Sequence, residues 1–312
     1  MRLLIRSVLA AVLLLLAYHT WLLFNPGEVA VPQGINQDNV IKMQEYIYAP
    51  ASQYSTVILG SSLAAKLRSQ ALPPTVYNLA LRGQSAFEGF EILKRSGQHP
   101  RLILVELDVL DREPNRSTIE NLFNPTLHPL RSLVPAFQER HQPLNQLLTL
   151  GFTGLERLRP ESAGHIREKL GVRAAGTTPP DPFATQEQPE DLSLNPKVVA
   201  QNRLEGNQLP MEPGFGANMA LLKRYARYFT KQGSHVVFFQ MPVDAGVCEG
   251  AKMQYIRRRV EAICPPGAYT FLPAPDCSQY YTTDGLHLTD ASALRFSQQL
   301  AQQLQQLPLQ PH

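Results

Sequence analysis

Five short apolar runs punctuate the chain. They are Thr56–Gly60, Val76–Leu81, Arg101–Leu107, His235–Gln240 and the weaker Tyr269–Leu272. Their β-branched and aromatic content and their length predict strands. Because apolar residues continue rather than alternate, the strands are expected to be covered on both faces, as in a parallel sheet. Helical periodicity falls between them. Ser85-Ala86-Phe87-Glu88 has the form of a capping box, followed by Phe90 and Leu93 at helical spacing. Met219, Leu222, Ala226 and Phe229 form a stripe closed by Gly233. Ala251–Ile263 is a charged amphipathic segment, and Asp290–Leu307 follows Thr289, a good N-cap, carrying Leu294, Ala301 and Leu304 on one side. Strands alternating with helices predict an α/β fold, a three-layer sandwich around a central parallel five-stranded sheet.

Two stretches depart from this alternation. Ser7–Phe24 contains no charged side chain, has a Leu-rich centre and is preceded by Arg2 and Arg6. A membrane span needs about 20 apolar residues, so this run is close to the minimum. No clear small-x-small cleavage pattern follows it, which favours an anchor over a cleaved signal. The basic flank predicts a cytoplasmic N-terminus with the remainder across the membrane, and Trp21 suits the interface. The second stretch, residues 113–215, holds 13 of the 26 prolines and lacks a convincing strand. Within it Leu144–Leu158 and Ala163–Leu170 read as helical and Thr177–Asn195 as a loop. The expected organisation is therefore an anchor over 1–24, a stalk and lead-in helix over 25–54, and one α/β domain over 55–312 with a mainly helical and loop insertion at 113–215.

Composition changes this picture little. The formal net charge is +3, and without Arg2 and Arg6 only 27 basic residues face 26 acidic ones, with no long basic run. Nucleic-acid binding has no electrostatic support. Cys248, Cys264 and Cys277 fit no common zinc spacing. One disulfide and one free thiol suit an exported domain, with Cys248–Cys264 the first choice of pairing. His128, His141 and His165 lack metal-ligand spacing, and neither a metal nor a cofactor is expected.

The candidate chemistry sits at strand ends, where open α/β sheets bind ligands. Gly60-Ser61-Ser62 closes the first strand, Gly83 follows the second, and Asp108 follows the third. Asp284 and His287 lie between the fifth strand and the last helix. A serine hydroxyl is a weak nucleophile that needs an adjacent base, and that base needs an orienting carboxylate. Each feature also has an ordinary reading: the serines as helix caps, Asp284-Gly285 and Gly83 as turns. Their common placement at one sheet edge gives the set its weight.

Gly60-Ser61-Ser62, Gly83 and Asp284-x-x-His287 resemble blocks one, two and five of the SGNH/GDSL hydrolase family. The apolar N-terminus and the Gly-Ser-Ser variant are similar to membrane-anchored members that serve bacterial cell-envelope and exopolysaccharide O-acylation. The resemblance implies a flavodoxin-like SGNH domain with Ser62 as nucleophile, His287 as general base and acid, and Asp284 as its orienting partner. The Ser62 and Gly83 backbone N–H groups are the implied oxyanion donors. Where the family carries a block-three Asn donor, this chain has Asp108, and an ionised carboxylate cannot donate a hydrogen bond. Either the hole uses backbone donors alone or Asp108 has another role.

The resulting expectation is a membrane-tethered serine acyl transferase or esterase of the bacterial inner membrane, with its catalytic domain outside the cytoplasm. It would act on O-acyl groups of a polysaccharide through polysaccharide or acyl-donor substrates, beside a membrane-bound acyltransferase partner, anchored through residues 7–24. A catalytically silent scaffold subunit of an assembly complex, and a lipid or thioester hydrolase, stand as alternatives.

Overall fold

Thr56–Leu59 (β1), Val76–Asn78 (β2), Leu102–Glu106 (β3), His235–Phe239 (β4) and Thr270–Phe271 (β5) form one all-parallel sheet in the order β2-β1-β3-β4-β5. Thr56 lies opposite both Val76 and Leu102, Leu102 opposite His235, and Val237 opposite Thr270. The computed structural model describes residues 1–24, 34–143 and 196–307. The segments expected to be helical at 144–158 and 163–170, and the loop at 177–195, lie outside the described residues.

Continuous apolar sequence translates directly into burial. Every residue of β1 and β3 is buried, and so are Val236–Phe239 of β4. Phe90 stacks on Tyr225 and Phe229 at centroid separations of 5.1 and 5.7 Å. Burying each such ring stabilises the fold by roughly 1.5–3 kcal/mol. The Ala86–Ser96 helix starts on the expected capping box: the Ser85 N–H donates to Glu88 Oε2 at 2.9 Å, and Phe87 N–H donates to Ser85 Oγ at 3.3 Å. Helices over Gly214–Lys231, Ala251–Ile263 and Asp290–Gln305 occupy the other amphipathic segments. Thr289 caps the last of these through Ser292 N–H.

The chain divides into two units. One comprises Met1–Tyr48 with Glu120–Asp181, the other Ala49–Ile119 with Pro182–His312, which contains the sheet. In the first unit, Arg2–Phe24 is a single helix, long and apolar enough to cross a membrane. Its 23 residues span about 35 Å at 1.5 Å per residue, against roughly 30 Å of hydrocarbon. Ile35–Ile47 is also helical and buries Met43 and Tyr46. Its Gln44 Oε1 accepts the Glu139 N–H at 2.7 Å. The lead-in helix is thus packed with part of the 113–215 stretch in the same unit.

The cysteines correct the expected pairing. Cys248 is bonded to Cys277 across 29 positions, with a Cα–Cα distance of 6.4 Å, and Cys264 is a buried free thiol. Cys248 ends the short Ala245–Cys248 helix after β4, and Cys277 opens a single turn after β5. Cys264 closes the intervening Ala251–Ile263 helix and packs into the core, so nearness in sequence to Cys248 does not bring the two thiols together.

Candidate functional site

The β2-β1-β3 order reverses the direction of winding between β1 and β3, and the crevice at such a reversal is where ligands of open α/β sheets sit. Ser62 follows β1 there and Asp108 follows β3. The loop after β1 is built around a buried carboxyl group that no sequence pattern marks. Glu106, the last residue of β3, accepts the Ser61 N–H and the Ser61 Oγ–H at 2.7 Å each, and the Ala64 N–H at 3.2 Å. Ser61 Oγ also accepts the Leu63 N–H at 3.2 Å. The chain can come this close only because residue 60 is glycine: a Cβ there would lie 2.3 Å from Glu106 Oε2. With Ser61 turned inward to Glu106, its half-buried neighbour Ser62 is left to face the cavity.

The opposite wall is a tight loop before the last helix. Asp284 Oδ1 accepts the Leu286 and His287 N–H groups at 2.9 and 2.8 Å, and its Oδ2 lies 2.7 Å from His287 Nδ1. Gly285 makes the turn at φ +91°, a conformation that L side chains adopt only with strain. The loop is tied down from two sides, by Asn202 Nδ2 donating to the Asp284 carbonyl at 2.8 Å and by Asp244 N–H donating to the Gly285 carbonyl at 3.0 Å. Its product is one alignment: His287 Nε2 stands 2.9 Å from Ser62 Oγ, across 225 positions of sequence. Since Asp284 accepts from Nδ1–H, the Nε2 lone pair faces the serine hydroxyl. Burial pushes the Asp284 carboxyl up, but the His287 N–H, the His287 ring and the Leu286 N–H outweigh it and hold the carboxyl below the usual carboxylate range.

Ser62 and His287 open onto a cavity of about 390 Å³, lined also by Asp108, Arg112, Asn202, Lys252 and Leu286. Lys252 is paired with Asp111 at 2.6 Å, and Arg112 donates to the Gln84 carbonyl at 2.9 Å. Among the described residues no acceptor takes the Ser62 or the Gly83 N–H. Gly83 is exposed, has φ +73° and is not part of the cavity lining. A Cβ there would meet open space, so its backbone angle, not crowding, is what calls for glycine.

Asp108 stands just after β3 in the cavity wall. Its side chain is buried; Oδ2 accepts the Met241 N–H at 2.8 Å, while Oδ1 is buried with no partner among the described residues. Burial first, and the Glu106 charge second, push its pKa well above the ordinary aspartate range, against the N–H groups of Met241 and of Asp108 itself. Burial also leaves the Glu106 pKa raised, against the Ser61 and Ala64 donors and the Arg112 charge, which only partly offset it. Of the two buried carboxyls, Glu106 has three donors and Asp108 has fewer, so burial weighs more heavily on Asp108.

Of the five residues singled out from the sequence, Ser62, His287, Asp284 and Asp108 share one site. Glu106 was legible only as a lone acid inside an apolar run. Asn202 and Glu205 lie on a helix, Pro196–Gly206, inside the proline-rich stretch, and no sequence signal marked them. Among the described residues no group of three or more His, Cys, Asp or Glu could hold a metal ion. Comparison with protein-family models, with curated proteins and with solved structures finds no match to this chain.

Proposed function

We propose that this chain is a serine acyl transferase or esterase, tethered to the bacterial inner membrane by Arg2–Phe24 and acting outside the cytoplasm on O-acyl groups of an envelope or extracellular polysaccharide. The observation that carries the reading is the continuous relay Asp284 Oδ2–His287–Ser62 Oγ, with separations of 2.7 and 2.9 Å, within the range for proton transfer between positioned groups. Ser62 Oγ attacks the acyl carbonyl as His287 Nε2 takes its proton, and the leaving group recovers that proton from His287. A sugar hydroxyl or water then resolves the acyl-enzyme by the reverse path. The Ser62 N–H, which no acceptor takes among the described residues, is the proposed backbone oxyanion donor; Gly83, exposed and outside the cavity lining, has no such support. The finer architecture proposed is the flavodoxin-like, three-layer SGNH sandwich, for which the 2-1-3-4-5 strand order is the support. Full-length protein in detergent, treated with a fluorophosphonate, is expected to carry the adduct on Ser62, and S62A none. A folded native protein that stays unlabelled would favour the silent scaffold reading instead.

A further inference from the structure

We propose that the segment Leu127–Phe137 is a second membrane contact, with Leu127, Leu133 and Phe137 entering the outer leaflet of the bilayer beside the far end of the Arg2–Phe24 helix. The inference rests on the tether reading of that helix and goes beyond it, because it assigns a lipid surface to the first unit of the chain outside the span. From Asn121 to Gln138 the sequence has no acidic residue and one Lys or Arg, Arg131. Leu133 is 79% exposed, Leu127 41% and Phe137 38%. Single exposed apolar residues are ordinary on protein surfaces, but three within one short segment free of acidic charge mark a contact face.

What covers that face follows from where the segment is attached. Along Arg2–Phe24 only Leu22 is buried, Tyr18 and His19 are half-buried, and every other residue is exposed. The protein body meets the helix at this end: the turn Pro135–Phe137 packs against it, and the Tyr18 hydroxyl donates to the His141 carbonyl. Tyr18 also stacks on Trp21 at a centroid separation of 6.0 Å, an aromatic pair suited to the membrane interface. With Arg6, the last charge in the helix, at the cytoplasmic boundary, Tyr18 and Leu22 lie about 18 and 24 Å further along at 1.5 Å per residue, against roughly 30 Å of hydrocarbon. A segment packed on those turns reaches the outer leaflet instead of standing clear of it.

A bilayer admits only backbone whose polar groups are already satisfied. Here the Val134 N–H donates to the Leu130 carbonyl, the Phe137 N–H to the Val134 carbonyl and the Gln138 N–H to the Pro135 carbonyl, each at 2.9 Å. Pro129 and Pro135 have no N–H to satisfy. Arg131, on the short helix Leu127–Leu133, supplies the charge that anionic headgroups attract, on a stem long enough to leave the apolar residues in contact with acyl chains. A second copy or a protein partner on this face would have to displace the lipid that surrounds a spanning helix.

The chain's single tryptophan makes the test direct. Full-length protein is placed in nanodiscs of phosphatidylcholine and phosphatidylglycerol, with lipids brominated in the upper acyl chain as fluorescence quenchers. In the native protein Trp21 reports on the tether. W21F combined with Leu133→Trp moves the indole to position 133, which is exposed enough to accept it without repacking. Emission from position 133 is expected to fall by a fraction comparable with that of Trp21 and to resist quenching by aqueous iodide. Quenching of Trp21 by the brominated lipid with none at position 133 would overturn this proposal and leave the tether standing. An indole at 133 shielded from both bromine and iodide would also overturn it, in favour of a second copy or a protein partner on this face. Absence of lipid quenching at both positions would overturn the tether reading and this inference together.

Discussion

At Ser61 the side chain turns inward to Glu106, whereas at Ser62 it meets His287, so two identical neighbours carry separable tasks. S61A strips Glu106 Oε1 of its donor and is expected to lower unfolding stability by about 1–3 kcal/mol in urea titrations. The fluorophosphonate adduct on Ser62 should persist in that variant and vanish in S62A. Asp284 gives a pH signature. Its carboxyl is held below the usual range, so its stabilising contribution is complete above about pH 4 and is lost as pH falls through the lowered value. The stability gap between native protein and D284N should therefore be widest above pH 4 and close in more acid solution; a gap that does not narrow there would contradict the Asp284 contacts. Much of this residue-level picture was legible in the sequence. Gly-Ser-Ser at a strand end and Asp-x-x-His before a helix are local patterns. Glu106 was not legible, because its partners lie 42 and 45 positions away. The raised pKa of Asp108 was not either, since it follows from burial and from Glu106, both products of folding.

At the level of elements, the strands could be read because burial on both faces demands unbroken apolar runs, and the Ala86–Ser96 helix because its capping box is contained in four residues. The Pro196–Gly206 helix lacked a comparable signal: only Val199 and Gly206 are buried along its 11 residues. It still contributes Asn202, which holds the Asp284 carbonyl. The disulfide shows the same limit, since three cysteines in one quarter of the chain do not specify a pair. The Cys248–Cys277 bond fastens the Ala245–Cys248 helix, whose Val247 lines the cavity, to the segment after β5. C277S is expected to cost about 2–4 kcal/mol of unfolding free energy, the usual contribution of such a cross-link. C264S removes a free thiol and should leave the disulfide in place, so denatured, unreduced protein should show one titratable thiol natively and none in this variant. A native disulfide that includes Cys264 would reverse these two results.

Across the whole molecule, a chain with a span-length apolar helix at Arg2–Phe24 and a five-stranded parallel sheet carries its candidate chemistry at the sheet's winding reversal. The sheet sets the β1 and β3 ends side by side, Gly60 lets Glu106 close under the loop after β1, and the Asp284–His287 loop meets Ser62 from the far end of the sequence. The proposed tether would keep this acyl chemistry beside membrane-bound donors. That account stands or falls on the reactivity of one side chain. The most direct measurement is mass spectrometry of the full-length protein after fluorophosphonate treatment in detergent. The account predicts a single adduct on Ser62 that is lost in S62A and strongly reduced in H287A. A folded protein with no adduct, or with one on Ser61 instead, would contradict it.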